Sequence, residues 1–146
     1  MQVLKFLIVE DEPLLADQVE QLLRRYHIFL KFFKVKTGEE AMEVIHKEHP
    51  DIILLDIKLA DYPAMDGMEV LEKLRKFDQK TDVIVMTALE DKSFEIGAKK
   101  LDARAFFRKP FEFKLLEVEI EQIIWERHNF IDGKKLRSID DKNTDS

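Results

Sequence analysis

The sequence predicts an α/β domain built on an open, five-stranded parallel sheet with helices on both faces. Ile52-Ile53-Leu54-Leu55 and Val83-Ile84-Val85-Met86 are unbroken apolar runs, the pattern of central strands buried on both sides. Such runs alternate with helical segments of about ten to fifteen residues, which implies βαβ units joined by right-handed crossovers. At 146 residues the chain has the size of one domain with a single core.

Residues 3–9 (VLKFLIV) read as a first buried strand running into Glu10-Asp11-Glu12-Pro13. Pro13 suits the first turn of a helix, and an acid before it can cap that turn. Leu15, Val19, Leu22 and Tyr26 then recur at helical spacing. Residues 28–35 are apolar but interrupted by Lys31 and Lys34, as expected of an edge strand. Thr37-Gly38-Glu39-Glu40 has the form of a capping box, and Ala41, Val44 and Ile45 give the next helix a narrow apolar stripe that ends before Pro50. The strand from Ile52 closes on Asp56, and the loop 57–66 contains Pro63. Gly67 follows, and Val70, Leu71 and Leu74 mark a third helix. The strand 83–86 ends in Thr87-Ala88. In segment 92–101 only Phe94, Ala98 and Leu101 form a stripe, and Gly97 weakens a helix interior by about 1 kcal/mol against alanine. It is expected to be the least stable helix. Residues 105–108 (AFFR) are a short last strand leading to Lys109-Pro110, and Leu116, Ile120, Ile123 and Ile124 stripe a final helix. The domain is placed at residues 1–127, with a polar tail or linker at 128–146.

With 45% hydrophobic and 37% charged residues the chain is a folded, soluble one. No apolar run approaches a membrane span, and no signal-peptide pattern opens the sequence. The absence of cysteine excludes disulfides and thiolate metal sites. These features favour the cytoplasm and no membrane partner. A net charge of −6 argues against direct nucleic-acid binding by this segment.

Every predicted strand except the second ends in a residue suited to phosphate or metal chemistry: Glu10 and Asp11, then Asp56, Thr87 and Lys109. In a parallel sheet those ends share the edge where open α/β sheets bind ligands. Three carboxylates in one pocket repel unless a cation sits among them. Oxygen-only ligands suit a hard ion such as Mg2+ (or Mn2+). Asp56 can attack a phosphoryl group and hold it as an aspartyl phosphate. Thr87 offers a hydroxyl, and Lys109 a positive charge, to the phosphoryl oxygens.

The ordered set Val9-Glu10-Asp11-Glu12, Leu54-Leu55-Asp56, Asp66-Gly67, Met86-Thr87-Ala88 and Lys109-Pro110-Phe111 resembles the receiver domain of two-component response regulators, over roughly the first 125 residues. The resemblance implies a flavodoxin-like three-layer fold with strand order 2-1-3-4-5. It implies phosphotransfer to Asp56 from a histidine kinase or phosphotransfer protein. It assigns Asp11, Asp56 and the backbone carbonyl of Ile57 to direct metal contact, with Glu10 acting through water. It makes Thr87 and Phe106 a switch that alters the face of the fourth helix, fifth strand and fifth helix, through which a partner, an output domain or a second copy in a homodimer is addressed. It places Lys58 and Leu89 where the family tunes phosphoryl lifetime, and it implies a cis Lys109-Pro110 bond.

Departures accompany the resemblance. The loop 57–66 is longer than the family norm, and Ala60 stands where a proline is usual. Asp102 replaces a usual glycine, which its tolerance of the left-handed region permits. Arg104-Ala105 replaces the paired acids of many DNA-binding members. A Mg2+-dependent phosphatase using Asp56 as nucleophile is a rival, but it wants a second acid where Lys58 stands. A flavodoxin-like cofactor binder is rejected, because Glu10-Asp11-Glu12-Pro13 would repel an anion. A docking module that never takes phosphate is disfavoured by the complete acid, threonine and lysine set. His27, His46, His49 and His128 are scattered and assigned no duty. Trp125, Phe130 and Ile131 either pack the end of the last helix or form a patch for a partner.

Overall fold

A computed structural model describes residues 3–26, 29–59, 65–131 and 134–135. The apolar runs pair as β1 (Leu4–Val9), β2 (Leu30–Val35), β3 (Ile52–Asp56), β4 (Asp82–Thr87) and β5 (Ala105–Arg108). They form a parallel sheet of order β2-β1-β3-β4-β5, so β3, buried along its whole length, lies at the centre. Between them run α1 (Pro13–Leu22), α2 (Gly38–Glu48), α3 (Gly67–Arg75) and α4 (Lys92–Lys100), and α5 (Phe113–His128) follows β5. Alternation along the strands divides the core. Phe6, Ile8, Ile52, Leu54, Ile84 and Met86 pack against α1 and α5. Leu7, Val9, Ile53, Leu55, Val83 and Val85 pack against α2, α3 and α4. Each fully buried Leu, Ile or Val contributes about 1.5–3 kcal/mol, which makes the sheet the rigid frame of the site.

Local details differ from the pattern at four places. The α1 stripe is centred on Ala16, Val19 and Leu23, and the helix tightens into a 3-10 turn at Leu23–Tyr26, which leaves Leu15 and Leu22 half-buried. Glu12 does not cap α1 with its side chain. Its amide instead donates to the Glu10 carboxylate at 3.1 Å. The second strand starts at Leu30, and residues 27–28 lie outside the described ones. Beyond α5, in the stretch read as a polar tail or linker, Lys134–Lys135 pairs antiparallel with Phe130–Ile131. The capping at Thr37 is as expected, its hydroxyl accepting from the Glu40 amide at 3.1 Å. Asp102 takes a positive φ of 57°, and the Lys109-Pro110 bond is cis. Of the atypical loop, residues 60–64, including Ala60 and Pro63, lie outside the described residues.

Arg75 is a structural residue that periodicity could not single out. It closes α3, is 7% exposed, and donates to the carbonyls of Leu101, Asp78, Thr81 and Asp102 at 2.8 to 3.1 Å. Burial lowers its pKa, against the attraction of Asp78, Asp102 and Asp82, so its charge is kept inside by those partners. An Arg75→Met substitution leaves buried carbonyls without donors. It is expected to cost about 3 kcal/mol, read as a lower urea midpoint at unchanged slope. A loss below about 1 kcal/mol would show the carbonyls satisfied some other way.

Candidate functional site

The sheet brings the four chemically distinct strand ends to one edge. Val9 lies opposite Leu55, Asp56 opposite Met86, and Thr87 opposite Arg108. Main-chain bonds continue past the strands: the Glu10 amide donates to the Val35 carbonyl at 3.0 Å, Ile57 to Met86 at 3.1 Å, and Lys109 to Thr87 at 2.8 Å. Glu10, Asp56 and Thr87 are therefore fixed on backbone that cannot move independently of the sheet, and all three are buried.

Lys109 reaches across this edge. Its ammonium donates to Glu10 Oε1 at 2.5 Å and to Asp56 Oδ2 at 2.7 Å. The other oxygen of each acid is held by backbone: Asp56 Oδ1 accepts from the Lys58 amide at 3.0 Å, and Glu10 Oε2 from the Glu12 amide. The carboxylates of Glu10, Asp11 and Asp56 offer oxygens within 4.8 Å of one another. Burial, opposed by the Lys109 bond and reinforced by the charge of Asp56, pushes the Glu10 carboxyl from 4.5 up to about 7. Burial also raises Asp56, against the pull of Lys109. Burial alone would lower Lys109, but its bonds to Asp56 and Glu10 outweigh it and raise its pKa. The Lys109 ammonium binds two of three clustered carboxylates, and all three offer oxygen donors. That donor set fits a hard divalent cation such as Mg2+.

The remaining predicted residues surround this pocket in different ways. The Thr87 hydroxyl accepts from the Leu89 amide at 3.1 Å. Leu89 itself is half-buried against the α2, α3 and α4 core, whereas Lys58 is exposed. Phe106 is half-buried in the same core. The Ile57 carbonyl, expected to face an ion, accepts from the Gly67 amide at 2.8 Å, which ties the end of β3 to the start of α3. Of the histidines, His46 stacks on Phe77 at 4.9 Å and His128 meets Phe29 edge-on at 5.4 Å; neither is in the pocket, and His27 lies outside the described residues. Trp125 is 36% exposed, and nothing is described of the side chains of Phe130 and Ile131.

Sequence reasoning missed the reason for Gly67. A Cβ there would stand 2.2 Å from the Asp56 carbonyl oxygen and 2.7 Å from the Ile57 Cα. The α3 N-terminus thus rests directly on the backbone at the end of β3. The signal was present as Asp66-Gly67 after a buried strand, but the close approach needs the coordinates.

Residues 6–121 match the response regulator receiver domain family. The chain belongs to this family. The receiver domain is 32% identical over 108 residues to sporulation initiation phosphotransferase F of Bacillus subtilis (strain 168), covering 74% of this chain and 83% of that protein. It is 32% identical over 136 residues to sensory transduction protein LytR of Staphylococcus haemolyticus (strain JCSC1435), covering 93% of this chain and 50% of that protein. It spans about half the length of the other curated relatives among the best matches too. A CheY-like receiver domain protein from Methanospirillum hungatei JF-1 superposes with a TM-score of 0.76 at 26% identity, over 87% of this chain and 98% of that one. The BeF3-activated receiver domain of Klebsiella pneumoniae RstA superposes at 0.71 and 26%, over 82% and 97%. The strand order and the helices on both faces are those of the flavodoxin-like fold to which such receivers belong. Among the described residues no helix of the receiver domain is long and apolar enough to cross a membrane.

Proposed function

We propose that this receiver domain accepts a phosphoryl group on Asp56 from the phosphohistidine of a histidine kinase or phosphotransfer protein, in the cytoplasm. The observation that carries the reading is the Lys109 ammonium bridging Glu10 and Asp56 beside Asp11 on the reactive edge of the sheet. An Asp56 carboxylate oxygen forms the new P–O bond while the P–N bond breaks, its electron pair staying on the donor imidazole. Glu10, Asp11 and Asp56 would hold a Mg2+ or Mn2+ ion, which would supply neutralising charge for the phosphoryl oxygens. Lys109 pairs with one of those oxygens, and the Thr87 hydroxyl, which accepts from the Leu89 amide, donates its proton to another. The Ile57 carbonyl, which accepts from the Gly67 amide through one lone pair, would offer the other to the ion. Water later hydrolyses the acyl phosphate on the domain itself, and Lys58 and Leu89 set how fast.

The output is a change on the face of α4, β5 and α5 as Thr87 and Phe106 rearrange. That face exposes Ile96, Leu115, Val118 and Trp125 to a partner, an output domain or a second copy. Arg104 adds no charge there for pairing with another chain, because it is bound to Glu119 at 3.2 Å and to Glu126 at 2.6 Å on the domain's own α5.

Incubation with acetyl phosphate and Mg2+ is expected to add one phosphoryl mass, and chelation or Asp56→Asn to abolish the gain. No adduct on the wild-type chain, or one that survives Asp56→Asn, sinks the reading. Because it relieves repulsion among the buried acids, Asp56→Asn is also expected to stabilise the metal-free domain, by about 1 kcal/mol.

A further inference from the structure

Packing alone holds α4 loosely, since Ala98 is its one buried residue. Arginines restrain both of its ends. At the C-terminal end the buried Arg75 donates to the Leu101 and Asp102 carbonyls. At the entry, the exposed Arg108 donates from Nη1 to the Leu89 carbonyl at 2.5 Å. The same guanidinium lies 5.7 Å from the centre of the Phe106 ring and within electrostatic reach of Asp91. Asp91 in turn caps α4, its carboxylate accepting from the Ser93 amide at 2.9 Å.

Leu89 faces two ways. Its amide donates to the Thr87 hydroxyl and its carbonyl accepts from Arg108, so one residue links the hydroxyl of the site to a cation at the end of β5. The root of Arg108 is fixed, because its backbone stands opposite Thr87 in the β4–β5 register. We propose that Arg108 is a latch on the β4–α4 connection: by holding the Leu89 carbonyl it keeps the Leu89 amide on the Thr87 hydroxyl and positions Thr87 in the unphosphorylated arrangement. This inference rests on the reading of Asp56 as phosphoacceptor. When Thr87 turns to a phosphoryl oxygen, Leu89 moves with it and leaves Arg108. The Phe106 ring loses the guanidinium at its face in the same step, which releases loop and aromatic together. Water competes for the exposed Arg108 bond, whereas the Arg75 bonds are shielded. The entry to α4 therefore opens first, while its far end stays anchored. Arg108 acts through Leu89 and touches no reacting atom; it is a positioning residue.

The test compares Arg108→Ala and Arg108→Lys with the wild-type chain. Without ligand, amide hydrogen exchange across residues 89–94 is expected to quicken about fivefold in Arg108→Ala, with melting temperature and exchange in β3 unchanged. Apparent affinity for beryllofluoride with Mg2+ is expected to rise about fivefold, because the competent arrangement is more populated before binding. Arg108→Lys, which keeps the charge and one donor, recovers part of both effects. Unchanged exchange overturns the proposal. So does faster exchange with unchanged or weaker beryllofluoride affinity, which reduces Arg108 to a surface staple. A wild-type chain that binds no beryllofluoride sinks the phosphoacceptor reading instead, and the exchange comparison then judges the latch by itself.

Discussion

Replacing Gly67 with alanine is expected to destabilise the receiver domain by about 3 kcal/mol and to suppress phosphorylation at Asp56. The new methyl meets backbone on every near contact: the Asp56 carbonyl oxygen at 2.2 Å, the Ile57 Cα at 2.7 Å and the Asp56 carbonyl carbon at 2.9 Å. No side chain can swing aside to make room. Either α3 backs away and the bond from the Gly67 amide to the Ile57 carbonyl is lost, or the end of β3 shifts and carries Asp56 off Lys109. Both routes reach the acceptor, because the acceptor strand and the helix share that contact. Urea unfolding measures the first effect and the acetyl phosphate adduct the second. A variant within about 1 kcal/mol of wild type that still phosphorylates would show that α3 can slide freely over β3.

The second large effect concerns Lys109. Removing its ammonium by Lys109→Met leaves Glu10 and Asp56 buried without their cation, a change expected to cost about 3 kcal/mol at pH 8 in the absence of divalent metal. The pH dependence follows from Glu10. Its carboxyl titrates at about 7 in the fold against 4.5 ordinarily, so between those values the unfolded chain releases a proton that the folded one keeps. The stability this contributes is complete below pH 4.5 and is lost as pH rises through about 7. The metal-free wild type is accordingly expected to weaken from pH 5 to pH 8, on the order of 2 kcal/mol. Lys109, raised above its ordinary value, keeps its charge throughout that window. In Lys109→Met the loss should shrink at pH 5, where Glu10 is neutral, and shrink again when Mg2+ is added at pH 8. A loss that ignores both pH and Mg2+ would mean that Lys109 supports the fold through its methylene stem alone.

The sheet was legible in the sequence because burial on two faces leaves a run with no polar interruption, as Ile52 to Leu55 do in β3 and Val83 to Met86 in β4. The convergence of Glu10, Asp11, Asp56 and Lys109 was legible for a topological reason: parallel strands put their C-terminal ends on one edge. Contacts made by the main chain were not legible. The bond from the Gly67 amide to the Ile57 carbonyl, the missing side-chain cap at Glu12 and the tight seat of Gly67 depend on backbone geometry that residue type does not report. Arg75 and Arg104 were hidden for a related reason. A charged residue in a helix or loop reads as solvated, and only the fold reveals four carbonyls around one and the α5 acids around the other. The α1 stripe was displaced because alanine, at Ala16, carries too little apolar weight to mark a buried face against the leucines beside it.

One contact at the opposite edge of the sheet bears on how anything after α5 would receive a signal. Arg127, in the last turn of that helix, binds Asp82 at 2.9 Å and the carbonyls of Asp51 and Lys80 at 3.0 and 2.8 Å, all at the starts of β3 and β4. The end of the helix is thereby riveted to the half of the molecule farthest along the strands from Asp56. Whatever follows His128 is therefore rooted at the starts of β3 and β4, on the far side of the sheet from Asp56.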